Sequence, residues 1–232
     1  MYNPVPSGII FSMERFGRGI IFMNYFPKAL IEYLRKNIVQ YMFLSIVLIA
    51  GIIVGSITVK MISDIQMESI VSFINGFLAN INNISVDCSS IFYLSLSNNL
   101  KTAIALILLG LSVVGLPFIL TVIFFRGFML GFTVGFLIEQ LGSKGIVLSI
   151  LSILPQNLII LPCIVSIGVT SLTFAMAVIK NRIKNYHESY SQMVIGYLLL
   201  NLFFSFLLII SGLIEGYISP IFIKFYTNYL SL

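Results

Sequence analysis

Histidine occurs once in this chain, at His187 beside Glu188, and that count removes most catalytic chemistry. A hydrolytic triad needs a nucleophile, a base and a group that orients the base. A metal centre needs several nitrogen, oxygen or sulfur ligands converging on one point. With one imidazole and eight scattered carboxylates neither set assembles, so no catalytic residue, no metal site and no cofactor are expected. Gly142-Ser143-Lys144-Gly145 shares pieces of a phosphate loop, but the full G-x-x-x-x-G-K-[ST] pattern between a strand and a helix is missing. The segment reads as a turn. Cys88 falls in a polar stretch and Cys163 in an apolar one, which argues against a disulfide between them.

The polar groups that remain draw notice through their surroundings. Glu139 closes one apolar run, and Gln156-Asn157 follows Pro155 inside another. Polar groups in an apolar medium cost free energy unless paired. These are therefore expected to face each other or a wet cavity, as in a transport pathway or partner pocket. The alternative is that Gln156 and Asn157 satisfy backbone groups freed by Pro155 while Glu139 reaches the outer interface.

The medium itself is set by composition. Of 232 residues 59% are apolar and only 9% charged, and mean hydropathy is +1.07. A soluble domain carries about 25% charged residues, so this chain lacks the charge to coat a soluble globule. The net charge of +5 lies at the ends of apolar runs rather than on one polar face, which excludes a nucleic-acid partner and leaves membrane lipid. The fold class expected is all-α, a polytopic membrane helical bundle.

About five spans are expected, at 38–59, 102–125, 127–141, 156–179 and 193–214. At about 1.5 Å per residue a run of some 20 residues crosses a hydrocarbon core of about 30 Å. The first run is too long and too late in the chain for a cleaved signal. The third is short, so its far end needs protein or water around it. The stretch 145–179 overshoots a single crossing, and Pro155 divides it into a short re-entrant or interfacial helix, about 145–154, and the fourth span.

Counting Lys and Arg on each side orients the bundle. With the N-terminus inside, cytoplasmic segments hold Arg15, Arg18, Lys28, Arg35, Lys36, Arg126, Lys180, Arg182 and Lys184, nine of thirteen. This makes 1–37 a cytoplasmic amphipathic segment, 38–232 the membrane domain, 60–101 an external loop, and the C-terminus external. Within that loop an apolar face over 62–81 reads as an amphipathic helix, on the outer leaflet, on a partner or on the chain's own spans.

Small residues form a second pattern. Gly127, Gly131 and Gly135 recur every four residues, and Gly51/Gly55 and Gly212/Gly216 repeat the spacing. Such ridges let helices approach closely in lipid, either within the chain or between copies in a homo-oligomer.

Gly115-Leu116-Pro117-Phe118, Arg126-Gly127-Phe128 with Gly131-Phe132, Leu154-Pro155-Gln156-Asn157 and Leu161-Pro162 resemble, in order and spacing, the stage II sporulation protein M family. The resemblance covers the middle third of the chain, and the five-span outline extends it. The wider superfamily carries Pro-His-Gly…Glu-Leu-Pro at the break; here Gln156 stands at the His, Asn157 at the Gly and Ile160 at the Glu. That departure favours the sporulation branch and speaks against His/Glu chemistry. The resemblance implies a non-enzymatic scaffold of the engulfment machinery that recruits the stage II sporulation proteins P and D. The rival is a permease subunit with a polar site near Glu139 and Gln156-Asn157.

Overall fold

A computed structural model describes residues 30–62, 72, 88–184 and 190–221 of the chain. Most of the N-terminal segment, nearly all of the amphipathic stretch over 62–81, and His187 lie outside them. Every element among the described residues is helical. A helical lead-in over 30–36 ends at Asn37, whose side-chain amide donates to the Tyr33 carbonyl at 2.9 Å. The helices that follow are α1 (Ile38–Val59), α2 (Cys88–Leu111), α3 (Leu116–Leu141), α4 (Ser143–Ser152), α5 (Leu154–Lys184) and α6 (Tyr190–Leu213). A π-helical turn, Ile214–Ile218, carries α6 on to residue 221.

Five of these are long and apolar enough to cross a membrane, as expected. The first keeps its expected bounds, Ile38–Val59, and the fourth covers Leu154–Ile179. The second and third are partitioned differently. The run 102–125 is no single span: it breaks at Ser112–Gly115, where Ser112 is extended (φ −103°, ψ 130°) and a 3-10 turn, Val113–Gly115, follows. Pro117 then starts α3, its fixed φ and missing donor suiting a first helical turn. Apolar residues in a turn leave no trace in hydropathy, and the charge of Arg126 marked a boundary where the helix in fact continues. The 15-residue run 127–141 is the second half of α3, and the segment 60–101 ends early because 88–101 belongs to α2. The fifth span is longer than expected, Met193–Ile221.

α5 is the hub. Of its most apolar 18-residue stretch 72% is buried, against 22–39% in the other four spans. Leu44, Leu106, Ile123, Ile164, Ile167 and Leu208 meet around it in one core. α4, ten residues or about 15 Å long, cannot cross. It folds back on α3, where Gly145 leaves no room for a Cβ against the Leu137 carbonyl. Gly142, the hinge between them, has φ +55°, the left-handed region that glycine tolerates.

α1 and α3 pack in parallel. Gly127 faces Leu48, Gly131 faces Ile52 and Gly135 faces Ser56, while Gly51 and Gly55 face the Phe124 and Phe128 carbonyls in return. This supplies a depth scale: Leu48 is the eleventh of the 22 residues of α1, so Gly127 lies at mid-bilayer.

Candidate functional site

Arg126, one residue before Gly127, is therefore a cation at mid-depth, where a lone Arg costs at least about 2.5–3.5 kcal/mol. Three helices converge to hold it. Its Nη2 donates to Asn99 Oδ1 on α2, Asn99 Nδ2 donates to Ser95 Oγ at 3.3 Å, and Ser95 Oγ donates to Glu215 Oε2 at 2.5 Å. Every donor in this relay points from the cation toward the anion, and the Glu215 carboxylate acts on the guanidinium through space. Asn99 and Ser95 are 2% and 6% exposed. Bonds to charged groups are worth about 1.5–3 kcal/mol each, and the two in this relay offset much of the cost of burying the pair.

The local sequence explains how each member arrives. Ser95 and Asn99, four residues apart, share the inward face of α2 with Ala103 and Leu106. Glu215 sits in the π turn, and Gly216 beside it leaves room for Phe92 of α2, whose Cβ would lie 2.7 Å from an added methyl. π turns recur at functional sites because the extra residue re-aims a side chain. Ser219, one turn on, donates to Gln156 Oε1 at 3.1 Å.

Of the eight residues singled out by sequence, seven fall into three groups. Arg126 belongs to the relay. Gly127, Gly131 and Gly135 form the face on α1, where Ser56 Oγ donates both to Ile52 O at 2.9 Å and across to Gly131 O at 3.1 Å. Pro155, Gln156 and Asn157 form the α4–α5 junction: Gln156 Nε2 donates to Ser152 O at 2.6 Å and Asn157 Nδ2 to Ile153 O at 2.8 Å. Glu139 joins none of these. It is exposed near the end of α3, and Gln156 and Asn157 bond Ser152, Ser219 and Ile153 instead, so the expected meeting of Glu139 with Gln156-Asn157 does not occur. Arg126 is likewise no loop residue, and Glu215 turns into the bundle.

Sequence reading missed Ser95, Asn99 and Glu215. The available signal was the four-residue spacing of Ser95 and Asn99, hidden because that stretch was read as loop. A second polar layer was missed too, toward the opposite ends of α5 and α6. Tyr197 donates to Ile107 O at 2.8 Å and meets Ser171 at 3.0 Å, and Thr170 donates to Asn201 at 2.9 Å. Cys163 is a buried free thiol. Among the described residues no three His, Cys, Asp or Glu side chains gather.

No curated protein and no solved structure matches the chain. A family model, stage II sporulation protein M, matches residues 44–220. That match runs from within α1 to just past the π turn and takes in both faces of the glycine contact and the whole Arg126–Glu215 relay. Covering more than half of the chain, it makes this protein a member of the stage II sporulation protein M family.

Proposed function

We propose that this membrane protein of a sporulation family is a non-enzymatic scaffold of forespore engulfment, holding the stage II sporulation proteins P and D at the septal and engulfing membrane. Those partners cut peptidoglycan. The observation that carries the reading is how the intramembrane polar groups are spent: Arg126, Asn99, Ser95 and Glu215 bond one another and tie three helices together. A rigid bundle of this kind suits a platform. Capture of the tagged protein from sporulating cells, followed by mass spectrometry, tests it. Recovery of P and D supports the scaffold, and their absence from crosslinked complexes refutes it.

The proposed orientation is N-terminus inside and C-terminus outside. With Arg126 and Lys101 at mid-depth, the remaining basic residues divide eight inside to three outside. α4 then lies on the external side as an interfacial or re-entrant element.

A permease subunit remains the second reading, because ionisable groups at membrane depth and a π turn are also features of transport sites. The geometry moves its candidate centre from Glu139 to Arg126 and Glu215. If Glu215→Gln abolishes sporulation while P and D are still captured, transport replaces scaffolding.

A further inference from the structure

The relay uses one face of α2; the opposite face carries a second polar group at the same depth. Lys101 and Arg126 each stand ten residues from the α2–α3 turn, Lys101 before Leu111 and Arg126 after Leu116. Lys101 is exposed, and among the described residues no carboxylate pairs with it. Its stem reaches roughly 6 Å, well short of the ~15 Å to either interface, so it cannot bring its ammonium to water. The cation does not stand alone. Leu94, Asn98, Lys101, Ala105 and Leu108 follow one another at spacings of four, three, four and three, and all but the half-buried Ala105 are exposed. That is the spacing of a helix–helix seam, in which a polar residue selects the partner.

We propose that this stripe of α2 is the docking face for a partner transmembrane helix carrying an Asp or Glu at mid-bilayer. Charge decides the occupant. A second copy related by an axis along the membrane normal keeps every residue at its own depth, which sets Lys101 at the stripe centre against another Lys101. Among the described residues of the five spans the exposed acid is Glu139, 13 residues beyond Arg126 on α3 and about 20 Å away in depth. A foreign carboxylate at the level of Lys101 satisfies the cation, and Asn98 offers it a further donor. The inference deepens the scaffold reading and rests on it for its purpose. Capture from cells tests that reading, the assay below tests this face, and either fails alone.

The test reconstitutes the full-length protein in phosphatidylcholine vesicles with labelled leucine-rich transmembrane peptides bearing Asp, Asn or Leu at the central position. Energy transfer reports association. The Asp peptide is expected to bind at least tenfold more tightly than the Leu peptide. Lys101→Leu should abolish that preference while Cys163 stays protected, because the lost side chain faces lipid. Lys101→Glu should transfer the preference to a Lys-bearing peptide. Equal binding of all peptides, or a preference that survives Lys101→Leu, overturns the proposal. So does copy-to-copy energy transfer that depends on Lys101, or unfolding of Lys101→Leu.

Discussion

Replacing Gly131 with alanine tests the parallel α1–α3 contact most directly. A Cβ there would stand 2.7 Å from the Ile52 Cα and carbonyl carbon and closer still to its oxygen. These are backbone atoms, with no rotamer to relieve the clash. Ordinary contact is regained only if α1 retreats by about 1 Å, and the reciprocal Gly51–Phe124 and Gly55–Phe128 contacts loosen with it. Overpacking of this kind costs about 1–3 kcal/mol, of which roughly 1 returns as improved helix propensity. Gly135 is the internal control, since its nearest neighbour is Ser56 Cα at 3.1 Å. A shift of a few tenths of an ångström suffices there, and the propensity gain makes Gly135→Ala near neutral or stabilising. The assay heats detergent-solubilised protein with a thiol-reactive dye in a Cys88→Ser background, so that exposure of buried Cys163 reports unfolding. Gly131→Ala should melt below wild type and Gly131→Leu should fail to accumulate. A melting point for Gly131→Ala at or above that of Gly135→Ala refutes the close parallel contact.

Breaking the relay should be costly in a coupled way. Arg126→Leu leaves the Glu215 carboxylate uncompensated and should lose about 3–5 kcal/mol, whereas adding Glu215→Gln should recover part of it; additive losses in the same melting assay would show the two charges to be independent. Gln156→Ala removes bonds to both Ser152 O and Ser219 and should cost about 1–3 kcal/mol, more than Asn157→Ala, which removes only one; equal melting points would contradict the junction geometry. Glu139→Gln alters an exposed side chain outside the relay and should leave abundance, melting and sporulation efficiency unchanged. A reporter fused after Leu232 should read external and one fused near Asn185 cytoplasmic, and a cytoplasmic C-terminus would invert the proposed orientation.

Length and hydropathy were enough for the number of spans, because each needs some 20 apolar residues whatever its neighbours are. They misplaced the α2–α3 turn for the same reason. Ser112-Val113-Val114-Gly115 is as apolar as the helices it joins, and Arg126 is the obvious interruption nearby. Which of two interruptions is real depends on Asn99, a partner 27 residues away, and no local pattern carries that information. The glycine ridges were legible as close-approach surfaces because four-residue spacing is a property of one helix. Their pairing, α1 with α3, was not, since it is a property of two. Gln156 and Asn157 show the same division: their role beside Pro155 is local and readable, whereas the Ser219 bond is not.

The parallel pairing of α1 and α3 also governs the order in which the chain can be assembled. Gly127 is synthesised 79 residues after its contact Leu48. At about 5–20 residues per second α1 therefore waits roughly 4–16 s, with Gly51 and Gly55 uncovered, before α3 exists to meet it. Arg126 reaches the bilayer in the same stretch, 89 residues ahead of Glu215. Until α6 arrives, the guanidinium has Asn99, which belongs to the hairpin that delivers it. The Asn99–Arg126 bond thus gives the guanidinium a hydrogen-bond acceptor as α2 and α3 enter together, and its charge is compensated only when Glu215 follows with α6.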